Sequence, residues 1–577
     1  MNVAGVAEYI LTVSLIISFI GTLVAAVAAR DHIKSALKGA GVKRWHLIIM
    51  IAIMLIFLLA ELAIVKPTQQ LFFDDAIYQG GALDLLHMGQ AWMCNYGTPS
   101  YCYSGQIYHE PIGTAFNLAV GFLFFGVKLA TAYNTMLALA VIAVMMVFFV
   151  GTMITKAPVA GLFSELLVAL SPVLLVWARP TTSDLPMLTY SLIALFFMLV
   201  FVHKKSLATL AAVLFSISLL TYTKVDAVLY LLVIPAMYIV LDDKRITSSI
   251  LKNFRMVRRN LLNTRVLLVI LVFVIAITPE ITYFYTELTT GNYGYQGTFV
   301  QKSCDSNFTS ITPSSSINLQ NFNANVCANV SYWFNAFKSQ YIMQPIIFTL
   351  IAIAGAAAMM ATMRRELLAI GIWFLAFFIL YTSFYAGGVT YGVDWRFMLE
   401  LAAQAGILGG YAAYIACTAG QLRRSRRPIY RAARFAVLAF VLFIIAYPIY
   451  AAAPLLAVSP SAIPQAGSAR FYENFVYNSS RLIPPSCLVF SYDPTLFNIN
   501  NRTSIQMFDL NPQSYESYKS QYGCLVLDYG YWCYTPNNTC TYVQSTFNLQ
   551  SLANATYTPE GKLFGFFYIT GIKSSPS

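Results

Sequence analysis

Apolar runs of 16–25 residues recur twelve times along this chain of 577 residues, near 6–28, 46–65, 131–155, 157–177, 185–203, 206–222, 226–241, 266–283, 343–361, 367–386, 397–417 and 435–455. Such a run crosses the hydrocarbon of a bilayer as a helix, because a helix satisfies every backbone N–H and C=O internally where water cannot. Composition agrees: 58% of the residues are hydrophobic and 10% charged, with a mean hydropathy of +0.64, which excludes a soluble enzyme. The expected fold is an α-helical polytopic membrane protein of about twelve transmembrane helices. Val6 to Ala28 has no basic region before it and exceeds a signal-peptide core, so it reads as a retained helix.

The formal net charge of +12 reports orientation. One alternating topology puts 23 of the 36 Lys and Arg on one side, in short loops that include Arg30 to Arg44, Lys244 to Arg265 and Arg423 to Arg434. These clusters lack the interleaved aromatics of a nucleic-acid groove, so no nucleic acid is expected as a partner. A thirteenth apolar segment, Ile112 to Val127, would turn the Lys244 to Arg265 loop outward if it spanned, and is therefore expected to lie at the outer surface. Both termini then face outward, and the segments 66–130, 284–342 and 456–577 are extracytoplasmic.

Two further patterns fit this arrangement. Asn-X-Ser/Thr patterns begin at Asn307, Asn329, Asn478, Asn501, Asn537 and Asn554, all in segments assigned outside. Cys94 and Cys102 share the first outer loop, Cys304 and Cys327 the second, and Cys487, Cys524, Cys533 and Cys540 the tail, while Cys417 sits in a helix. Even numbers per outer segment point to disulfides in an oxidising compartment, with three connectivities open for the tail. The tail lacks the close Cys-x-x-Cys pairs of a zinc ribbon.

Charge and turn residues return from about Ser459, so the tail reads as a separate soluble domain. Cys487 to Tyr492, Ser504 to Leu510, Cys524 to Tyr529 and Leu563 to Thr570 read as strands, which makes a small extracytoplasmic α/β or β domain. The domain boundaries are drawn at 1–45 for an extra N-terminal helix and basic cytoplasmic loop, 46–457 for a transmembrane catalytic domain with outer loops 66–130 and 284–342, and 458–577 for the disulfide-bonded soluble domain.

Ionisable residues gather at the outer ends of the helices. The topology brings Asp74, Asp75, Glu110, Arg179, Asp184, Lys224, Asp226, Asp394 and Arg396 to one level from separate connections. Carboxylates can deprotonate a hydroxyl, and Arg and Lys can hold an anionic leaving group. A plainer role is helix capping and mutual pairing; the set as a whole favours function, because charges at a membrane boundary are costly to keep.

These residues resemble the GT-C glycosyltransferases, which use lipid-phosphate-linked sugars, and most resemble the branch of protein O-mannosyltransferases and bacterial aminoarabinose transferases. That branch carries an acidic pair after the first core helix, followed by an amphipathic helix; here Asp74-Asp75-Ala76-Ile77-Tyr78 runs into Gly80 to Gly89. His109-Glu110-Pro111-Ile112-Gly113, with Phe125-Gly126 at the far end, is similar to the family's His or Lys beside Pro, although Glu110 stands where the family has Pro or Lys. Arg179-Pro180-Thr181-Thr182-Ser183-Asp184 is similar to its second outer loop, Thr223-Lys224 to its Thr-Lys, and Arg396-Phe397 to its Arg-Tyr. The likeness runs in order over roughly residues 46 to 420.

The resemblance implies a catalytic role for Asp74, as base, and for Asp184, which would orient the acceptor or the base. It implies donor-phosphate binding by Lys224, Arg396 and Arg179, and contacts to acceptor or sugar by Asp75, Tyr78, His109 and Glu110. The reaction implied is an inverting displacement that moves a sugar from a polyprenyl- or dolichyl-phosphate donor to a hydroxyl on an acceptor protein, glycan or lipid. No cofactor is expected: three acids could hold Mg²⁺ or Mn²⁺, but the nearer relatives do without a divalent cation. The alternatives are a transporter or flippase of a lipid-linked or anionic substrate and a non-catalytic assembly protein; the first lacks the internal repeats such proteins show. The expected location is the cell membrane with an extracytoplasmic active site, the alternative being an endoplasmic reticulum membrane with a lumenal one.

Overall fold

The computed structural model describes residues 3–63, 65, 72–89, 111–242, 264–290, 346–383, 398–422, 466–534 and 539–573. Helices cover most of the apolar runs: α1 (Val3–Ala28), α2 (Arg30–Gly39), α3 (Arg44–Ala63), α4 (Phe72–Met88), α5 (Gly113–Phe125), α6 (Leu129–Thr155), α7 (Pro158–Ala169), α8 (Pro172–Trp177), α9 (Asp184–His203), α10 (Leu207–Thr221), α11 (Tyr230–Asp242), α12 (Thr264–Thr290), α13 (Ile346–Thr362), α14 (Arg364–Ser383) and α15 (Met398–Leu422). The expected span at 435–455 lies outside the described residues.

Among the described residues, seven helical stretches are long and apolar enough to cross a membrane, and four shorter apolar helices accompany them. The run 157–177, expected as one helix, is broken at Ser171-Pro172 into α7 and α8, where Ser171 takes the extended conformation that a following proline favours. The run 226–241 opens as a 3₁₀ turn, Val225–Leu229, before α11. Ile112 to Val127 is helical, as α5.

Helix α3 shows how these segments meet two solvents. Met50, Ile53, Phe57 and Glu61, spaced by three or four residues, are buried, while Ile48, Ile51, Leu55, Leu59 and Leu62 form an exposed apolar stripe on the opposite side. An apolar stripe of that length would be an aggregation surface in water and is the natural face toward lipid. Helix α1, which lies outside the motif-bearing region, packs on α10 and α12 through small and polar side chains: Ser18 Oγ lies 2.8 Å from Ser218 Oγ, and both Ser18 and Thr22 hydrogen-bond back into α1. Small hydroxylated residues let helices approach closely where the hydrophobic effect gives no preference for contact over lipid.

The contact of α15 with α7 uses the same principle with glycine. A Cβ on Gly410 would sit 2.5 Å from the Ser164 amide nitrogen and 2.6 Å from the Ala160 carbonyl oxygen, so only hydrogen fits there. Gly371, on α14, faces open space.

The soluble domain is a five-stranded mixed sheet with helices on it. Strands β1 (Cys487–Ser491), β2 (Ser504–Gln506), β3 (Cys524–Tyr529), β4 (Phe547–Tyr557) and β5 (Lys562–Ile572) lie in the order β2-β1-β3-β5-β4. Strands β2, β1 and β3 are parallel, and β5 and β4 close the sheet antiparallel. Four helices belong to the domain: α16 (Ala466–Ser479), α17 (Pro494–Ile499), α18 (Pro512–Gln521) and α19 (Thr539–Thr546). Three of the four strands expected from sequence are present at close to the expected bounds; the one expected over Ser504 to Leu510 ends at Gln506 and continues as a 3₁₀ turn, Met507–Asp509. Strand β4 is the one the pattern missed, since its polar, mostly uncovered residues sit at a sheet edge.

Two disulfides staple the domain, Cys487–Cys524 between register partners on β1 and β3, and Cys533–Cys540, while Cys417 is free. The pairs at Cys94/Cys102 and Cys304/Cys327 lie outside the described residues. Asn478, Asn501 and Asn554 are all exposed on this domain.

Gly410→Val should lower the thermal midpoint of the purified protein in nanodiscs by the equivalent of about 1–3 kcal/mol, the usual cost of overpacking a core. Gly371→Ala should leave it unchanged or raise it. Equal midpoints for the two variants would contradict the close approach of α15 to α7.

Candidate active site

Three of the sequence-identified loops converge at one end of the bundle. Asp184 opens α9, where a carboxylate complements the helix dipole. Lys224 is extended between the end of α10 and the 3₁₀ turn, and its ammonium lies 2.9 Å from Asp184 Oδ1 and 2.8 Å from Asp226 Oδ2. The ring of Tyr381 lies 5.5 Å from the same ammonium. Lys224 and Asp184 are both buried, so the pair operates at low dielectric, where each charge acts more strongly on its neighbours than it would in water.

The segment Pro111–Thr114 docks on the Thr-Lys motif. Gly113 N–H donates to the Tyr222 carbonyl at 2.7 Å, and Thr114 Oγ1 donates to the Thr223 carbonyl at 3.3 Å. Any Cβ at Gly113 would collide with the Tyr222 carbonyl, so glycine is required by the close approach of two backbones. This fixes one end of α5 directly against Lys224. His109 and Glu110 lie outside the described residues.

The acid pair sits in the first turn of α4. The side chain of Asp74 lies outside the described residues. Asp75 is fully buried and its Oδ1 accepts two hydrogen bonds, from the Thr181 amide at 2.6 Å and from the Thr181 hydroxyl. Gln79, one turn further along α4, donates to the same hydroxyl at 2.9 Å. Asp75 thus ties α4 to the loop that leads into Asp184. Tyr78 is buried beside it in sequence.

Arg179, expected at the donor phosphate, lies against the end of α3. It is buried with Nη1 3.4 Å from the Glu61 carbonyl and 3.5 Å from the Val65 carbonyl, and with Nη2 3.4 Å from Asn134 Oδ1. A guanidinium there answers the unpaired carbonyls at the end of α3, which is a capping role. Arg396 lies outside the described residues.

The motifs did not reveal Glu400. It is buried in the first turn of α15, where its Oε1 accepts from the Tyr230 hydroxyl, from Trp373 Nε1 at 3.2 Å and from Ser191 Oγ at 3.4 Å. Lys224, Asp184 and Asp226 all act on it electrostatically. An acid inside an apolar helix was the signal that could have found it. No group of three or more His, Cys, Asp or Glu side chains among the described residues is placed to hold a metal ion.

A cavity of about 670 Å³ opens one turn along α5 from the Gly113 contact, among α1, α5, α6, α9 and α10. Phe19, Leu23, Phe124, Leu139, Ile142 and Ile193 make it chiefly apolar, and the Tyr190 hydroxyl donates to Asn117 Oδ1 at 2.6 Å within it.

A second set of acids lies where the soluble domain meets the bundle. Tyr133 of α6 donates to Glu473 of α16 at 2.9 Å. In the domain itself, burial pushes Asp528 up to about 7 against the pull of hydrogen bonds from Tyr472 and Ser491, and burial together with Asp528, Asp75 and Glu473 pushes Asp493 well above the usual carboxylate range.

The Lys224 cluster makes one directional prediction. Lys224→Met removes the cation that three carboxylates face and should cost about 3–5 kcal/mol, whereas Asp184→Asn leaves Lys224 with Asp226 and should cost less. Thermal midpoints in nanodiscs that fall equally would contradict this. The Asp528 shift makes another. A carboxyl whose pKa is higher folded than unfolded binds more protons in the folded state, so its contribution to stability is greatest below pH 4 and is lost as pH rises to about 7. Asp528→Asn should flatten the dependence of the thermal midpoint between pH 4 and 7; an unchanged slope would count against the burial of this acid.

Residues 109–283 match the family model for dolichyl-phosphate-mannose-protein mannosyltransferase. No curated protein matches the chain. Among solved structures, ArnT from Cupriavidus metallidurans bound to undecaprenyl phosphate is similar over 91% of this chain and 98% of its own, at 14% identity and a TM-score of 0.51. The apo form of the same protein is similar over 91% and 97%, also at 14% and 0.51. The archaeal oligosaccharyltransferase AglB from Archaeoglobus fulgidus, in complex with an inhibitory peptide and a dolichol-phosphate, is similar over 92% of this chain and 74% of its own, at 12% and 0.50. At these identities the structural matches speak for the fold. The resemblance read from the motifs is therefore borne out: the chain has a GT-C-like membrane fold with a C-terminal mixed-sheet domain, and its residues 109–283 carry the sequence pattern of the dolichyl-phosphate-mannose-protein mannosyltransferase family.

Proposed function

We propose that this protein is a membrane glycosyltransferase that moves a sugar from a polyprenyl- or dolichyl-phosphate donor to an acceptor hydroxyl on the extracytoplasmic side. One observation carries the reading: the Thr-Lys segment, the start of α5 and the first residue of α9 are locked together around a buried ammonium, and Asp75 binds the acid-pair helix to the same assembly. The ammonium supplies the positive charge that a departing lipid phosphate needs. The apolar cavity one turn away suits the first isoprene units of the donor, and its Asn117 and Tyr190 offer polar atoms at the edge of an otherwise oily wall.

In this reaction Asp74 takes the proton of the acceptor hydroxyl as its oxygen attacks the anomeric carbon. The bond from that carbon to the phosphate oxygen breaks, the electron pair leaves with the lipid phosphate, and the configuration inverts. Lys224 stabilises the charge that builds on the phosphate, with Arg396 as its second cation, and exchanges Asp184 for the phosphate as it does so. Asp184, released, orients the acceptor. Glu400 accepts hydrogen bonds from Tyr230 and Trp373 and so fixes these rings beside the Lys224 cluster. ArnT bound undecaprenyl phosphate, and AglB bound a dolichol-phosphate with a peptide; the carrier class proposed here is the same.

Asp74→Asn should lower the rate of transfer from a polyprenyl-phosphate sugar in proteoliposomes by about 10²–10⁴-fold, the usual contribution of a general base, at unchanged folding. A variant that transfers at the wild-type rate would remove Asp74 from the mechanism.

A further inference from the structure

The soluble domain rests on the bundle through acids that come from both sides. Asp75 comes from α4, Glu473 from α16, Asp493 from the turn before α17, and Asp528 from β3; all four are buried. Hydroxyl donors reach three of them: Thr181 to Asp75, Tyr133 to Glu473 at 2.9 Å, and both Tyr472 and Ser491 to Asp528, the latter at 2.7 Å. Asp493 lies in the field of Asp528 and Glu473 of its own domain and of Asp75 across the interface, with the Leu496 amide as a favourable neighbour, and its own amide donates to Ser491 Oγ at 2.9 Å. Acids and their hydroxyl partners therefore line the boundary from helix α6 to the central strand of the sheet.

One hydrogen bond crosses directly to the acid-pair helix. Thr495 Oγ1, in the first turn of α17, donates to the Ala76 carbonyl at 3.1 Å. Ala76 is the residue after the Asp74-Asp75 pair. The backbone that carries the proposed base is thus held on one side by Thr181 of the bundle and on the other by Thr495 of the soluble domain.

We propose that the soluble domain is a working part of the active site: Glu473, Asp493 and Thr495 are positioning residues that fix the first turn of α4, and with it Asp74, through the Thr495–Ala76 bond and the acids that face Asp75. This rests on the reading of Asp74 as the catalytic base. Burial and the neighbouring acids hold Asp493 well above the usual carboxylate range, and burial pushes Asp528 up to about 7, so these acids keep their protons while the interface is closed. As pH rises and those protons leave, like charges on α4, α16, the α17 turn and β3 repel, the domain loosens, and Asp74 loses its place. The alkaline limb of the activity profile then belongs to this interface as well as to the reacting groups.

The experiment uses the full-length protein in nanodiscs. Thr495→Val removes the crossing hydrogen bond and nearly keeps the shape. It should speed hydrogen exchange of the amides in 76–84 and lower kcat about fivefold, the rate equivalent of one hydrogen bond of about 1 kcal/mol, with the donor KM unchanged. Asp493→Asn keeps a neutral group where the closed interface holds a proton, so it should extend activity to higher pH than the wild type, which a merely structural role would not do. Unchanged exchange in Thr495→Val together with an unchanged alkaline limb in Asp493→Asn would overturn the proposal. Faster exchange in a protein whose wild type transfers no sugar would leave the docking role standing and overturn the glycosyltransferase reading instead.

Discussion

A single ammonium, that of Lys224, organises the charged end of this bundle. It is buried between Asp184 at the start of α9 and Asp226 in the turn before α11, and Glu400 at the start of α15 lies in its field. Taking these charges out of water costs several kcal/mol each, and the mutual attraction of a buried pair often does little more than offset that cost. A set of apolar side chains would hold the same helices together at least as well. The arrangement is therefore poor evidence for stability, and the proposed stabilisation of a leaving phosphate is a task that would need such a desolvated cation.

The neighbouring segments keep that cation in place by backbone contacts that side-chain chemistry alone would not specify. Gly113 lets α5 touch the Tyr222 carbonyl, and Thr114 adds a second bond to Thr223. Asp75 captures the amide and hydroxyl of Thr181, which fixes the loop that ends in Asp184. Both contacts lie at junctions between helices, where the chain leaves regular hydrogen bonding and its polar groups must find partners elsewhere. Arg179 illustrates the same need, since it answers the carbonyls that α3 leaves open.

Much of the site could be read in advance because apolar runs fix which helix ends share a side of the membrane. Asp184 and Lys224 were placed together on that reasoning alone, and they are 2.9 Å apart. Glu400 escaped because no motif contains it and because it lies in an apolar run that composition classifies as an ordinary span. The motif in its loop points Arg179 at a phosphate, but sequence says nothing about the carbonyls at the end of α3 that its guanidinium meets in the fold. In the soluble domain, strands with buried faces were legible and the edge strand β4 was not, since an uncovered strand has no need of an alternating apolar pattern.

The sequence by itself determined the membrane-spanning character, the order of the motifs along the chain, the separate tail with its paired cysteines, and the residues able to act as base or phosphate ligand. Those properties follow from length, hydropathy and the chemistry of individual side chains, which need no neighbours to be defined. Only the tertiary structure decided that Glu400 lies beside Lys224, that the Arg179 guanidinium lies against carbonyls at the end of α3, and that Asp493 faces Asp75 across the domain boundary. Each of these is a contact between segments distant in sequence, and its energy comes from burial and charge shared by groups that only the fold brings within reach of one another.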